Sequence, residues 1–365
     1  MTEREKQIYE LIEKDPMISQ AEIARLLKIT RTSVAVHISN LMKKGNIKGK
    51  GYITRSEHPI TVIGGANIDI QGQAESQIIM KDSNPGYLKT SLGGVARNIA
   101  ENMALLGLPT RLITAVGQDI NGRMIKENAL LHKIDMDDSL IVANKKTSTY
   151  LYVLDEQGEM VVAISDMKVT DFLDTTFLST KTQKINKSAY TVLDANLLVD
   201  SLQYLAEHLN ETKLILDTVS AKKSLRAKDV LHRFYAIKSN RTEAEVLLDM
   251  KLNSKTDIKI AGAKFLEMGI KKVIITLGQD GVYYTDNSTS FFRNSFNLTP
   301  INVTGAGDAF TAGLVYGLTH NLESKNLIDF CMGASAITLL SPYTIASSMS
   351  ETTVLETIQK YSLLK

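Results

Sequence analysis

The most informative stretch of this chain is Asn302-Val303-Thr304-Gly305-Ala306-Gly307-Asp308, which runs directly into a helical pattern at residues 309–314. Its small residues allow backbone N–H groups to crowd together at a helix start, where the positive end of the helix dipole attracts anions. A carboxylate beside such a site repels phosphate unless it has a task of its own. Accepting the proton of a hydroxyl group that attacks phosphorus is such a task. The stretch predicts the catalytic corner of a small-molecule kinase, although glycine-rich turns also precede helices as plain loops.

The composition predicts one large α/β domain and a small one, since the 365 residues are 44% hydrophobic and carry a formal net charge of +2. The single cysteine, Cys331, lies in an apolar helical pattern, which excludes an internal disulfide framework and favours a reducing compartment. Residues 1–6 are polar and unlike a signal peptide, and no apolar run approaches the roughly 20 residues of a membrane span. We therefore expect a soluble, cytoplasmic protein with no membrane partner.

Charge divides the chain near residue 57. Residues 1–56 hold 11 Lys and Arg against 6 Asp and Glu, whereas residues 57–365 hold 31 against 34. Glu57-His58-Pro59 interrupts the helical pattern, and residues 60–67 then begin an apolar strand. We predict a basic N-terminal domain over residues 1–56 and a slightly acidic second domain over residues 57–365.

The first 56 residues predict three helices followed by a basic hairpin. Ile8, Leu11 and Ile12 recur at helical spacing, and Ser19 with Glu22 forms a capping-box pattern before the second helix. This arrangement resembles the winged helix-turn-helix of bacterial regulators, whose second motif helix enters the major groove of DNA. The alternative is a small helical bundle that pads or dimerises the larger domain. The resemblance implies that DNA is contacted by Arg31, Thr32, Ser33, His37, Lys48 and Lys50.

From residue 60 onward, apolar strands alternate with amphipathic helices, which predicts βαβ units and a mostly parallel sheet covered by helices. Residues 148–154 and 159–164 depart from this pattern, because they alternate around Asp155-Glu156-Gln157-Gly158 and so predict a hairpin. Hairpins inserted into an α/β domain often form a lid over the site. The strand patterns occupy residues 60–67, 111–116, 189–194, 214–217 and 273–277, and the helical patterns occupy residues 95–106, 200–209 and 255–268.

Two motifs early in the larger domain suit the binding of a polyol. Asn67 and Asp69, at a strand end, lie on the same side of an extended chain and can hold vicinal hydroxyl groups. Gly93 and Gly94 open a helix that carries Asn98, and the glycines allow close backbone approach to a ligand.

Two later motifs suit a bound phosphate chain. Asn240 and Glu243 share one face at a helix start, where they can organise Mg²⁺-bound waters. Thr276-Leu277-Gly278-Gln279-Asp280-Gly281 ends a parallel-type strand, which is where ligands bind in open α/β sheets.

The five motifs N-x-D, G-G-x-x-x-N, N-x-x-E, T-L-G-x-x-G and G-A-G-D, taken in this order, resemble the ribokinase-like (PfkB) family of sugar and nucleoside kinases. The resemblance covers residues 60 to about 360. It implies a ribokinase-like α/β fold, a mostly parallel sheet flanked by helices, with a small β lid from about residues 68–90 and 147–166. It also implies ATP and Mg²⁺ as cofactors. We expect a homodimer, because winged-helix proteins usually read two half-sites and lids in this family often pair.

The resemblance assigns a role to each motif. Asp308 is the general base, and the backbone amides of Gly305, Ala306 and Gly307 stabilise the transferred phosphoryl group. Glu243 acts on the metal through water, and residues 331–340 form a wall for the adenine ring. The residues that bind the sugar hydroxyls are Asn67, Asp69, Gly93, Gly94 and Asn98. The residues that bind the nucleotide are Asn240, Glu243, Thr276, Gly278 and Gly281.

Three strings look like one branch of that family, the pseudouridine kinases: Asp82-Ser83-Asn84-Pro85-Gly86, Asp217-Thr218-Val219-Ser220-Ala221-Lys222-Lys223, and the opening stretch with Asn302. Most family members carry Asp where Asn302 stands, and that Asp helps bind a monovalent cation. The lost charge leaves potassium activation open. Ala96, Thr218 and Lys222 depart from the branch pattern, whereas Lys223 is retained.

A C-nucleoside substrate offers a uracil with two N–H donors and two carbonyl groups. Lys223 suits a carbonyl and Asp166 suits an N–H, although Asp166 is equally well explained as a solvated lid residue. The two resemblances thus imply a kinase for the 5′-hydroxyl of pseudouridine that also binds DNA. Ribose, another nucleoside or a related sugar remains an alternative substrate. A transcriptional regulator that uses a kinase fold to sense its ligand is an alternative of another class.

Overall fold

The computed structural model describes residues 1–16, 18–47 and 59–362. The chain forms two units, Met1–Pro59 and Ile60–Lys365. The predicted boundary at residues 56 and 57 and the predicted DNA contacts Lys48 and Lys50 lie outside the described residues.

The first unit contains helices α1 (Glu3–Lys14), α2 (Gln20–Leu27) and α3 (Arg31–Lys43). Their inward faces form one apolar core that includes Ile8, Ile23 and Val34. Ser19 caps α2 by accepting a hydrogen bond from the Glu22 amide (3.1 Å), as its position predicts. The Glu22 carboxylate pairs with Arg25 (3.1 Å). The helix-turn-helix portion of the predicted fold is therefore present.

The second unit contains a central sheet with the strand order β14-β13-β12-β11-β10-β9-β1-β4. Among the described residues, the pairs from β4 across to β12 are parallel, and β13 and β14 add an antiparallel edge. The mostly parallel sheet expected from the sequence is confirmed. The strands are β1 (Ile60–Ile63), β2 (Asn67–Ala74), β3 (Gly86–Gly93), β4 (Thr110–Ile113), β5 (Ala115–Gly117), β6 (Leu140–Val142), β7 (Thr149–Leu154), β8 (Met160–Asp166), β9 (Tyr190–Asp194), β10 (Lys213–Asp217), β11 (Ala236–Asn240), β12 (Lys272–Thr276), β13 (Val282–Asp286) and β14 (Ser290–Arg293).

Helices cover both faces of the central sheet. Successive strand residues point to opposite faces, so that Val62 packs into one apolar cluster and Ile63 into the other. Helices α4, α12 and α13 contribute to the first cluster, and α8, α10 and α11 to the second. The helices of this unit are α4 (Val95–Leu105), α5 (Ile120–Leu131), α6 (Thr175–Ser179), α7 (Thr182–Ile185), α8 (Val199–His208), α9 (Ala221–Ser224), α10 (Arg241–Leu248), α11 (Lys255–Glu267), α12 (Ala306–Thr319), α13 (Ser324–Leu339) and α14 (Glu351–Ser362).

A second, smaller sheet has the order β3-β2-β7-β8. The predicted hairpin is present as the antiparallel pair of β7 and β8, and β2 lies parallel to β7. Strand β2, which begins with the motif Asn67–Asp69, therefore belongs to this sheet. We call these four strands the lid sheet.

The single strand predicted at residues 111–116 is wrong. The chain forms β4 up to Ile113 and then β5 from Ala115, and the two strands belong to different sheets. The amide of Thr114 bonds Ser139 Oγ (3.1 Å) and its carbonyl accepts from the Leu140 amide (2.8 Å). A continuous apolar run cannot show such a change of partner, because the partner lies about 25 residues away in the sequence.

Candidate active site

The stretch from Asn302 to Asp308 ends in the first turn of α12. Gly305 occupies the N-cap position with φ 84°, a left-handed conformation that favours glycine. A Cβ atom added there would lie 2.2 Å from the carbonyl oxygen of Thr344, so the turn also requires close backbone contact. Ala306 and Gly307 then open the helix, and Asp308 stands in its first turn. The local geometry is that of an anion site with one carboxylate beside it.

Asp308 receives a hydrogen bond from a residue more than 200 positions away. Asn98 Nδ2 donates to Asp308 Oδ2 at 2.7 Å. Burial raises the pKa of Asp308 to about 7, and the nearby Asp217 acts in the same direction, whereas the bond from Asn98 and the charge of Lys238 lower it. A carboxylate with a pKa near neutrality is suited to accept and return a proton.

Asn98 reaches this position because α4 begins at a glycine turn. Gly94 is the N-cap residue, with φ 98°, and a Cβ atom there would lie 2.5 Å from the carbonyl oxygen of Gly65. The preceding Gly93 pairs with Asn67 across β2 and β3. The glycine turn at Gly65 and the glycine turn at Gly94, which are far apart in the sequence, are therefore in direct contact.

The predicted hydroxyl-binding pair, Asn67 and Asp69, lies next to Gly93 in these turns. Asn67 Nδ2 donates to Asp69 Oδ1 at 2.6 Å. Burial raises the pKa of Asp69, although the bond from Asn67 and the charge of Arg97 oppose that change. The structure thus brings Asn67, Asp69, Gly93, Gly94, Asn98 and Asp308 into one region.

Asp194 joins the two turns and was missed in the sequence. This fully buried residue ends β9, and its Oδ2 accepts from the amides of Gly65 (2.9 Å) and Ala96 (3.0 Å). Asn196 adds bonds from its own amide (2.9 Å) and its side chain (3.0 Å). The available signal was a carboxylate at the end of an apolar parallel strand; in the structure this strand pairs with β1, which leads into the Asn67 motif.

A second buried group was also missed and lies beneath the start of α12. Asp217 Oδ2 accepts from Thr311 Oγ1 (2.6 Å) and from Lys238 Nζ (3.2 Å). The position of a Cβ atom on Gly307 would be 2.9 Å from that ammonium nitrogen, which shows how closely Lys238 approaches the turn. Burial lowers the pKa of Lys238, but Asp217, Glu243 and Asp308 raise it more. A buried cation therefore lies next to the predicted phosphate site.

Asn240 and Glu243 form a reciprocal capping box at the start of α10. Asn240 Oδ1 accepts from the Glu243 amide (2.9 Å), and Glu243 accepts from the amide (2.8 Å) and side chain (2.8 Å) of Asn240. Thr218 Oγ1 donates a further, short bond to Glu243 Oε2. Both predicted metal-region residues are thus engaged with protein groups. Their action on Mg²⁺ through water stays a prediction, and the described residues contain no cluster of three or more His, Cys, Asp or Glu side chains suited to a metal.

The start of α12 forms one wall of a cavity of about 690 Å³. The predicted nucleotide residues Thr276, Gly278 and Gly281 line it from the end of β12. Four residues of the predicted adenine wall at 331–340 line it from α13, whereas Cys331 is buried in the core. The other lining residues include Ala306, Gly307, Phe296, Val303, Phe310, Met332, Ser335, Ala336 and Leu339.

Lys223 is placed near the glycine turns, because its Nζ donates to Asn196 Oδ1 at 2.5 Å. Burial lowers the pKa of Lys223, and the charge of Asp194 opposes that change. In the same loop Val219 adopts φ 62°, a left-handed conformation that is rare for a β-branched residue. A backbone outlier of this kind marks a loop that its surroundings hold in one shape.

Asp166 is exposed at the end of β8 and pairs with Thr149. Thr149 in turn pairs with Ile68, next to Asp69. At a spacing of about 4.8 Å per strand, Asp166 lies roughly 10 Å across the lid sheet from the hydroxyl-binding pair. The structure therefore places Asp166 at the same end of the lid sheet but not in contact with that pair.

Of the predicted DNA-binding residues that the structure describes, Arg31, Thr32 and Ser33 form the first turn of α3 and His37 lies one turn further on. Arg31 and Thr32 are exposed, while Ser33 is half-buried and its hydroxyl group bonds Thr30 (2.9 Å). His37 is also half-buried, with its Nδ1 atom enclosed, so it is less outward-facing than predicted. Val36 was missed and is 54% exposed on the same helix.

The described helices do not include one that is both long and apolar enough to span a bilayer. Residues 58–352 match the pfkB family of carbohydrate kinases, and residues 1–48 match a winged helix-turn-helix DNA-binding family.

Three similar proteins extend these matches. A pseudouridine kinase from Escherichia coli is 34% identical over 85% of this chain and 99% of its own length. An uncharacterized sugar kinase from E. coli, YeiI, is 31% identical over 93% of this chain and 94% of its own length. A crystal structure of a candidate sugar kinase from Clostridium perfringens has a TM-score of 0.77 and 38% identity, covering 84% of this chain and 97% of that one.

Proposed function

The chain belongs to the pfkB family of carbohydrate kinases, which transfer a phosphoryl group to a hydroxyl acceptor, and we propose that its acceptor is the 5′-hydroxyl group of pseudouridine. ATP is the phosphoryl donor in this proposal. One observation carries the chemistry: Asp308, whose pKa is raised to about 7, stands in the first turn of a helix whose glycine N-terminus opens on a cavity.

In the reaction the acceptor oxygen forms a bond to the γ-phosphorus while the bond from that phosphorus to the β,γ-bridging oxygen breaks. Asp308 accepts the proton of the acceptor hydroxyl, and ADP leaves with the electron pair of the broken bond. The amides at the start of α12 and the buried ammonium of Lys238 stabilise the negative charge of the phosphoryl group during its transfer. Charge-assisted hydrogen bonds of this type contribute about 1.5–3 kcal/mol each.

The cavity beside α12 suits ATP. Its volume lies within the usual range of about 300–1,000 Å³ for ligand sites, and apolar residues such as Phe310 and Met332 line it next to the glycine turn. The oxygen donors of Asn240 and Glu243 suit the water shell of a Mg²⁺ ion that is held mainly by phosphates and water, which is the usual arrangement for this ion. Bound Mg²⁺ supplies neutralisation of the phosphate charge. Asn240 and Glu243 are therefore the proposed partners of its water shell.

Pseudouridine is proposed because of the similarity to the E. coli enzyme and the position of Lys223. Lys223 donates a hydrogen bond to Asn196. The side chain of Asn196 and the amides of both glycine turns all donate to the carboxylate of Asp194. An ammonium group held there is suited to a carbonyl group of the base. Asp166, on the lid sheet, is the proposed partner of an N–H group of the base.

An ATP-consumption assay with Mg²⁺ tests this proposal, with pseudouridine, uridine, ribose and adenosine measured in parallel. We expect strong turnover with pseudouridine alone. Turnover with ribose or another nucleoside would replace the substrate and keep the phosphotransfer. A lack of turnover on every acceptor, with ligand binding still detectable by calorimetry, would favour the ligand-sensing regulator instead.

A second function, DNA binding, rests on the winged helix-turn-helix match and on the exposed side chains at the start of α3. Arg31 can bond phosphates or guanine, and Val36 can contact a thymine methyl group. Fluorescence anisotropy of the full chain on duplex DNA from its own promoter region should show affinity that falls steeply with salt. Arg31→Ala should weaken binding more than Arg4→Ala on α1, and equal effects would favour the padding role.

We also propose a homodimer formed through the lid sheet. Its edge strand β8 is exposed along its whole length, including Met160, Val162 and Ile164, and Leu88 on the opposite edge strand is 82% exposed. Light scattering of the full chain should give twice the monomer mass, and Ile164→Lys should reduce it. The compartment we expect is the cytoplasm, consistent with one buried free cysteine.

A further inference from the structure

The residue before Asn98 is a buried arginine with no part in the mechanism above. Only 4% of Arg97 is exposed. Its guanidinium donates from Nη1 to Glu101 Oε2 (2.7 Å) and to Asn128 Oδ1 (3.3 Å). Its Nη2 donates to Asn98 Oδ1 at 2.6 Å. A charged group is therefore held by α4 and α5 directly behind the amide that contacts Asp308.

These contacts determine which way the Asn98 amide faces. An asparagine side chain has one oxygen that accepts and one nitrogen that donates, whereas a guanidinium can only donate. With Oδ1 facing Arg97, the nitrogen must face Asp308, to which it donates at 2.7 Å. The opposite orientation would place two donors together at Arg97 and would set an oxygen against the carboxylate. Arg97 thus donates to Glu101 on one side and to Asn98 on the other, and Asn98 in turn donates to Asp308.

We propose that Arg97 is a positioning residue for phosphoryl transfer: it keeps the Asn98 amide oriented so that Asp308 receives a hydrogen bond and remains an ionised proton acceptor. The kinetic part of this inference rests on the proposed kinase function. The orientation of Asn98 and its effect on Asp308 do not, because they depend only on contacts within the protein.

Several charges act on Asp308 besides these hydrogen bonds. Asp217 and Asp194 oppose its ionisation, and Lys238 favours it. Arg97 also interacts electrostatically with both Asp308 and Asp69. Removing Arg97 therefore withdraws a direct charge effect and the orientation of Asn98 together, and both changes favour the protonated form of Asp308. The apparent pKa of Asp308 should rise.

The test compares two variants of the full chain. Arg97→Met combined with Glu101→Gln removes the guanidinium without leaving Glu101 buried as an unpaired charge. Glu101→Gln alone is the matched control, because it removes the same ion pair and leaves Arg97 on Asn98. We expect kcat of the double variant at pH 7 to fall by about 10- to 100-fold, as misorientation of a reacting group does. The acid limb of its profile of kcat/KM against pH should move to higher pH, and the kcat of the control should remain within a few-fold of that of the unaltered chain.

A second readout needs no turnover. Aspartate labelled with ¹³C at the carboxyl carbon reports the titration of Asp308 by NMR, and Asp308→Asn identifies the signal. We expect its midpoint to lie higher in the double variant than in the control. If the midpoint and the pH profile stay unchanged while only the melting temperature falls, Arg97 is merely structural and the inference is wrong. An unaltered chain that phosphorylates no acceptor would refute the kinase function alone, because the NMR comparison would still decide the role of Arg97.

Discussion

Helices α4 and α12 begin in nearly the same way but face different partners. Each has a glycine N-cap with positive φ, 98° at Gly94 and 84° at Gly305, and neither glycine offers a side-chain cap. At α4 the amide of Ala96 donates to the buried carboxylate of Asp194. At α12 the first residues line a cavity. The first helix start is neutralised by an anion of the protein, and the second is left for an anion from outside.

The difference teaches that a glycine-rich turn before a helix is not by itself a phosphate site. The same backbone geometry stabilises the fold at α4, where it joins the turn at Gly65 to the turn at Gly94 through one carboxylate. It is available for chemistry only at α12, where Asp308 and Lys238 flank it. Substitutions at the glycine turn before α12 should therefore act on kcat, and those at the glycine turn before α4 on stability and acceptor binding.

The largest expected effect is that of Asp308→Asn. The amide cannot accept the acceptor proton, so kcat should fall by about 10²- to 10⁴-fold, while acceptor binding measured by calorimetry should remain. Asp229→Asn, at an exposed position, is the control and should leave kcat unchanged. Substantial turnover by the Asp308 variant would show that the start of α12 does not supply the proton acceptor.

Gly305→Ala should reduce kcat by about 10- to 100-fold, because the added methyl group meets the carbonyl oxygen of Thr344 and displaces the amides of α12. The matched control is Gly107→Ala, just beyond the C-terminal end of α4. Gly107 has the same φ of 84° but open space around it. Both variants should lose about 1–2 kcal/mol of stability from the left-handed backbone, and only Gly305→Ala should lose turnover. Equal kinetic losses would contradict the special position of α12.

Asp194→Ala tests the α4 side. It leaves the buried amides of Gly65 and Ala96 without their acceptor, so the free energy of unfolding should fall by about 3 kcal/mol, measured by urea denaturation. Asp174→Ala, which removes an exposed helix cap at α6, should cost only about 1 kcal/mol. Similar losses for the two variants would show that Asp194 is an ordinary cap.

The pH dependence of kcat/KM for the acceptor follows from the pKa of Asp308, raised to about 7 by burial. Burial disfavours the charged form, and only the charged form accepts a proton. Activity should therefore be lost as pH falls through 7, with kcat/KM for the acceptor at pH 6 about tenfold below its plateau. A flat profile between pH 6 and pH 9 would mean that another group accepts the proton.

Lys223→Ala should have the smallest effect. Its Nζ contacts Asn196 on the α4 side, so the apparent KM for pseudouridine should rise several-fold while any activity on ribose is retained. Lys222→Ala, at the adjacent position of the same short helix, is the control. Equal losses on pseudouridine and ribose would rule out a contact between Lys223 and the base.

Much of the fold follows from local patterns. Alternating strands and helices predicted the parallel sheet, the spacing of Val34 and Ile38 predicted the inward face of α3, and the turn at Asp155–Gly158 predicted the hairpin of β7 and β8. The break after Ile113 was not predictable, because β4 and β5 pair with strands of different sheets. The capping box of Asn240 and Glu243 has a recognisable spacing, but its closure on Thr218 depends on the neighbouring strand.

The chemistry-bearing motifs were visible in the order of residues, because a glycine turn, a helix start and a nearby carboxylate are set by neighbours in the chain. Their division into a stabilising turn at α4 and an open one at α12 was not. That division depends on Asp194, Asp217 and Lys238, which stand on different strands. Packing parallel strands side by side brings these charges beneath the helix starts, and in a buried setting a carboxylate or an ammonium decides whether an amide group is already satisfied or still free to bind phosphate.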